Sequence, residues 1–194
     1  MAEWLDSVLP KDCPRNEGLA IARLAKANQI GRGGLTLTSP AFEAGGVLDP
    51  CFTADEEDAV APPLEWTAPP PGTQELVILV EDASASPPTL HWAVWGLGGQ
   101  RGKLLEGEVP PRVGKNDRGN SEWLLPQLET GAEAHTYVFQ IFALDLPLTL
   151  LPGATKDDLL ASMEGQVTAA AVLAAKYQSL PEEEIDWDDE DAID

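Results

Sequence analysis

Three apolar runs limit what this 194-residue chain can fold into. They are Leu76-Val77-Ile78-Leu79-Val80, the stretch from His91 to Leu97 around Trp92-Ala93-Val94-Trp95, and the stretch from His135 to Leu144. Each is strand-length, rich in β-branched and aromatic residues, and shows no clean apolar/polar alternation. Runs of that kind read as strands buried on both faces. Their polar ends are as informative as their interiors. The first run stops at Glu81-Asp82, and the other two open on His91 and His135, the only histidines in the chain. A polar residue at the end of a buried strand lies at the rim of the core, where a pocket can open. Two imidazoles and a carboxylate delivered in this way suit a small anion.

Composition narrows the partners. The formal net charge is −21, from 33 acidic and 12 basic residues. That excludes nucleic acid, whose phosphates need clustered Lys and Arg, and disfavours anionic membrane surfaces. The final block Glu182–Asp194 holds nine acidic residues and no basic one, interrupted by Ile185, Trp187 and Ile193. Such a block reads as a disordered, solubilising tail, or as a segment that docks on a basic protein partner. Cys13 and Cys51 form no C-x-x-C motif and read as free thiols in a reducing compartment. No apolar run reaches the length of a membrane span, and the opening residues lack a basic, apolar leader. A cytoplasmic location is the expectation, without membrane insertion.

Seventeen glycines and seventeen prolines favour a turn-rich, mainly β (α+β) fold. Residues 17–29 predict an amphipathic helix capped by Asn16 and stopped at Gly31. Leu35–Thr38 alternates as a half-buried strand, and Leu64-Glu65-Trp66 is short and extended. Asp49 to Pro63 is a loop carrying Asp55-Glu56-Glu57-Asp58, and Gly98 to Thr130 is a long irregular connection of the sort that carries function. Thr155 caps a helix whose first turn is acidic. The Ala-rich stretch 167–177 predicts a further helix on propensity alone.

The spacing of several short motifs resembles the phosphatidylethanolamine-binding protein family, in its bacterial Raf-kinase-inhibitor-like branch. Leu37-Thr38-Ser39-Pro40-Ala41-Phe42 is similar to the family's opening strand and turn, and Pro62-Pro63-Leu64-Glu65-Trp66 to its Pro-Pro-Leu-x-Trp. Val80-Glu81-Asp82 through Ser86 stands where the family carries Asp-Pro-Asp-x-Pro. His91-Trp92 matches a His-Trp pair, His135-Thr136-Tyr137 a His-Arg-Tyr, Lys115-Asn116-Asp117 an Arg-Asn-Asp, and Met163-Glu164-Gly165-Gln166 a Met-x-Gly-His.

The resemblance implies a β-sandwich over residues 35–178, preceded by a helical extension (1–34) and followed by the acidic tail (179–194). Peripheral helices would flank the sandwich at both ends, with a short strand near Tyr177. It also implies a non-enzymatic pocket for phosphate, phosphorylated head groups or carboxylates. Asp82, His91, His135 and Tyr137 would be its polar wall and Trp92 its apolar side, with no cofactor, no metal and no catalytic residue. An interaction or scaffold protein with a degenerate pocket is the alternative, including a kinase or protease inhibitor of the family's kind.

This chain departs from the family pattern in its pocket. Ser84 and Ser86 replace an Asp and a Pro, and Thr136 replaces the Arg. Leu125-Pro126-Gln127-Leu128-Glu129 stands where a Gly- and Pro-rich wall is usual. Leu125, Leu128 and Glu129 are expected to fill the pocket or repel an anion. Three other readings of the same residues compete. Both histidines can be core-edge residues, two His and one Asp can form a metal triad, and Ser84, His91 and Asp82 can form a nucleophilic triad in a hydrolase. Trp4 and Trp123, if exposed, would mark partner surfaces.

Overall fold

The computed structural model describes residues 3–181. In chain order its elements are α1 (Ala20–Leu24), β1 (Leu37–Thr38), β2 (Leu64–Trp66), β3 (Glu75–Asp82), β4 (Thr89–Gly98), β5 (Gly102–Leu104), β6 (Arg112–Val113), β7 (His135–Leu144), α2 (Lys156–Met163) and β8 (Val167–Tyr177). Short 3-10 turns lie at Glu3–Ser7, Ala27–Gln29, Arg32–Gly34 and Pro50–Phe52. The strands form a three-stranded sheet in the order β1-β2-β5 and a five-stranded sheet in the order β6-β4-β3-β7-β8. Every ladder between named strands is antiparallel.

The larger sheet is apolar on both faces, which explains the unbroken runs. On one face Ile78, Val80, Val94, Phe139 and Ile141 meet Leu37, Leu64, Trp66 and Leu104 of the smaller sheet. On the other, Val77, Leu79, Trp95, Val138 and Phe142 meet Leu5, Leu9, Leu19 and Ile21 of the N-terminal segment and Leu159, Leu160 and Met163 of α2. All eight residues of β3 are buried. The protein is therefore a sandwich with an irregular helical layer on its back.

Two helix expectations fail. Only Ala20–Leu24 of the segment 17–29 is α-helical, with a single 3-10 turn at Ala27–Gln29, and Leu19, not Asn16, precedes α1 without a side-chain cap. Asn16 instead donates to Ala83 O (3.3 Å) and Ala85 O (2.8 Å). Tertiary bonds decide the segment's conformation. Ala20 N–H donates to Glu81 Oε2 and Ile21 N–H to Gln140 Oε1, both at 2.7 Å. Beyond Ala25 the chain is drawn along the edge of β8, where Ile30 bridges Ala170 and Gln29 donates to Val167 O.

The Ala-rich stretch 167–177 is the strand β8, not a helix. It pairs with β7 along its length, from Val167 opposite Leu144 to Tyr177 opposite His135. Propensity loses here because β7 needs a partner and both cores accept small side chains, among them Ala169 and Ala175 in one and Ala170 in the other. Gly165, at φ +76°, makes the turn out of α2 that an L side chain would resist. Residues 43–48 cover the free edge of β8 through Gly45 N–H to Ala174 O, Leu48 N–H to Lys176 O and Lys176 N–H to Gly46 O. A covered edge does not template aggregation.

Candidate functional site

The site lies at one end of the larger sheet. Asp82, the last residue of β3, pairs across the ladder with Tyr137 of β7 and, on its other side, with Thr89 of β4. Register on β4 shifts at this point: Val80 faces Trp92 but Glu81 faces Leu90, so His91 is the extra residue of a bulge. Leu90 and Ala93 pack into the rear core, while Trp92 packs into the front one. The His91 ring meets Trp123 and Tyr137 of the front core. The bulge thus turns two consecutive side chains, His91 and Trp92, to the same face, which strict alternation forbids.

His135 and Asp82 form a direct pair, Nδ1 to Oδ2 at 2.6 Å. Asp82 is only 5% exposed, and its Oδ1 accepts from Ser84 N–H at 2.9 Å. Its carboxylate therefore fixes the His135 ring and leaves Nε2 for something else. His91 is also 5% exposed, and its Nδ1 lies 2.7 Å from Leu124 O. A carbonyl only accepts, so the proton sits on Nδ1 and Nε2 carries a lone pair. Burial pushes the His91 pKa below its ordinary value, against smaller upward pulls from the Leu124 bond, Asp82 and Asp117. The neutral imidazole is the form this site favours. Tyr137 stands edge-on to His91, ring centroids 5.0 Å apart at 86°. Burial, with the charge of Asp82 adding to it, raises the Tyr137 phenol well above its usual value, so the hydroxyl stays a donor.

These groups line a cavity of about 810 Å³, within the range of small-molecule sites. Asp82, His91, Trp92, His135 and Tyr137 all belong to its wall, so the five residues singled out in the sequence converge. The expected closure by residues 125–129 does not occur. Leu125 and Leu128 pack against the front core and form the wall, while Glu129 is exposed and outside the lining.

The sequence reading missed several wall residues. Trp123 is 9% exposed, stacks on Phe139 at 6.0 Å and donates to Phe52 O at 3.1 Å. It is part of the pocket and not a partner surface, and Trp4 is half-buried against the rear core. Arg118 brings a cation to the wall. Its loop is held by Asn116, which accepts from Arg118 N–H (2.9 Å) and donates to Glu122 O (3.0 Å). Asp117 fastens the same loop to Leu90 N–H at 2.9 Å. The Asn116-Asp117 pair was the available signal: two turn-forming polar residues in a loop too long to be a mere connection.

Two competing readings of these residues do not form. Ser84 Oγ accepts from Thr136 N–H at 3.0 Å, and Asp82 serves His135 rather than His91, so the Ser84–His91–Asp82 triad is absent. No group of three His, Cys, Asp or Glu side chains is arranged to hold a metal among the described residues.

Fold and site together define a two-sheet sandwich with an imidazole- and carboxylate-lined cavity at the end of its larger sheet. Residues 38–178 match the sequence profile of the phosphatidylethanolamine-binding protein family. The chain belongs to that family. A UPF0098 protein of Methanothermobacter thermautotrophicus is 32% identical over 155 residues, covering 74% of this chain and 99% of that one. A UPF0098 protein of Chlamydia trachomatis is 30% identical over 151 residues, covering 74% and 99%. Among solved structures, the phosphatidylethanolamine-binding protein homolog CT736 of Chlamydia trachomatis superposes with a TM-score of 0.69 at 29% identity, covering 75% of this chain and 98% of that one. YbcL of E. coli superposes with a TM-score of 0.67 at 19% identity, covering 75% and 99%, which speaks for the fold alone. No helix of the described residues is long and apolar enough to cross a membrane.

Proposed function

We propose that this protein is a non-enzymatic binding protein whose cavity takes a small ligand bearing a phosphate, a phosphorylated head group or a carboxylate. One observation carries the reading: the 2.6 Å bond between His135 and Asp82, in the wall of a cavity of about 810 Å³ that His91 and Tyr137 also line. The carboxylate orients an imidazole toward the cavity, the Tyr137 hydroxyl donates to an oxyanion, and Trp92 and Leu125 flank the apolar remainder of the ligand. Ser84 Oγ accepts from the Thr136 backbone N–H, so no covalent step is assigned to it. The free thiols of Cys13 and Cys51 fit the reducing, cytoplasmic compartment that the sequence suggests.

Isothermal titration with phosphate, phosphoethanolamine and acetate, on wild type and His135→Ala, tests the proposal. Saturable heat in wild type that disappears in the variant supports it. Absence of heat with all three near neutral pH removes it. The acidic block Glu182–Asp194 lies outside the described residues, and its nine carboxylates suggest a separate contact with a basic protein partner. Capture that weakens with salt and vanishes on deletion of residues 182–194 supports that contact. A scaffold with a degenerate pocket has less in its favour, because the cavity is open.

A further inference from the structure

Within the proposed binding site the two imidazoles are not equivalent. Both have Nδ1 engaged, but by opposite kinds of partner logic. His135 faces a carboxylate, and His91 faces a backbone carbonyl that can accept and nothing more. The His91 ring is 5% exposed, has no further hydrogen-bond partner among the described residues, and belongs to the cavity wall. Its remaining nitrogen, Nε2, is also absent from the fully buried side-chain atoms that lack a partner. That nitrogen therefore meets the cavity, and it does so as an acceptor. Beside it in the cavity wall stands a donor, the Tyr137 hydroxyl, which has no hydrogen-bond partner among the described residues either. The desolvation that keeps His91 neutral strengthens this asymmetry.

We infer that near neutral pH the site selects an oxyanion that carries its own proton, inorganic phosphate, over one of the same shape that lacks it, sulfate. This inference rests on the binding function proposed above and names the ligand class for it. A hydrogen-bearing phosphate donates its P–O–H to His91 Nε2 and accepts from Tyr137 through another oxygen. Sulfate near neutral pH has only acceptors, so one of its oxygens would face the His91 lone pair, leaving a buried acceptor unpaired. Unpaired polar groups in a desolvated site are what give such pockets their discrimination.

The test is isothermal titration of the full chain near neutral pH with two probes, inorganic phosphate and sulfate. Phosphate should bind at least about tenfold more tightly than sulfate. In His91→Gln, whose amide can present either a donor or an acceptor, that ratio should fall toward one. Equal affinity for phosphate and sulfate in wild type overturns the inference and leaves the binding function standing. A ratio unchanged in folded His91→Gln overturns it as well. Absence of binding by either anion overturns both the inference and the function beneath it. Because the first comparison uses unmodified protein, it decides the matter even if the variant does not fold.

Discussion

Glu81 and Asp82 are neighbours at the end of one strand, yet they serve opposite ends. Strand alternation sends Glu81 to the back of the sheet and Asp82 to the front. Glu81 is fully buried and saturated by protein. Its Oε2 accepts from Ala20 N–H at 2.7 Å and Gln140 Nε2 at 2.9 Å, and its Oε1 pairs with Lys156. Asp82 is almost as buried, but its partner His135 retains a free nitrogen in a cavity wall. One carboxylate closes a network that holds the N-terminal segment and α2 to the sheet. The other holds a group ready for something outside the protein. Burial and charge alone do not separate the two roles; whether the partner chain of hydrogen bonds terminates inside the protein does.

That contrast can be broken by substitution, and the largest effect belongs to the rear. Glu81→Ala strands the Lys156 ammonium, the Ala20 N–H and the Gln140 amide, and should cost about 3 kcal/mol in urea unfolding. Phosphate affinity per folded molecule should be unchanged. A loss below about 1 kcal/mol, the scale of a surface pair, would show that the network does not latch the back layer. Asp82→Asn keeps the shape and replaces the carboxylate facing His135. It should weaken phosphate binding by about tenfold, measured by titration calorimetry, with a smaller stability change than Glu81→Ala. Equal stability losses at the two positions would erase the distinction.

Tyr137→Phe sharpens the comparison further. Its hydroxyl has no hydrogen-bond partner among the described residues, so the variant should melt at the wild-type temperature while binding phosphate a few-fold more weakly, the worth of about one neutral hydrogen bond. The smallest effect is on pH dependence. The folded His91 pKa lies below its ordinary 6.5, so its contribution to stability is complete above pH 6.5. As the pH falls toward the depressed folded value, the unfolded chain takes up the proton first and that contribution is lost. Urea melts at pH 7.5 and 5.5 should show lower stability at the acid value, and His91→Gln should flatten that slope. The titratable groups that bear on this imidazole are Asp82, Asp117 and His135.

The sequence carried the larger sheet and the polar end of it well. β7 spans His135–Leu144 as expected, because ten consecutive residues without alternation can be buried only between two layers. Asp82, His91, Trp92, His135 and Tyr137 were legible because each stands at the end of such a run or in a family motif. What was not legible depended on contacts distant in the chain. The Ala-rich β8 is a strand because β7 lacks any other neighbour on that side. The segment 17–29 is α-helical only over Ala20–Leu24 because Glu81 and Gln140 take the amides of Ala20 and Ile21 at its start, and β8 draws Gln29 and Ile30 away beyond its end. Leu125 and Leu128 looked like obstructions, but a leucine's effect on a cavity depends on which way its loop turns. That direction is set by the reciprocal His91–Leu124 bonds, Nδ1–H to Leu124 O and Leu124 N–H to His91 O. The bulge that turns His91 and Trp92 to one face is a property of pairing register, which no single strand displays.

Because the chain has only two histidines, an imidazole nitrogen NMR spectrum of uniformly labelled protein contains just two spin systems, both at the cavity. Near neutral pH without ligand, His91 should show a protonated Nδ1 and a bare Nε2. Titration with inorganic phosphate should move the Nε2 signals of both rings along one saturable curve. If phosphate leaves both rings unmoved at concentrations well above those of ordinary ligand binding, the cavity is not an anion site and the function proposed for it is wrong.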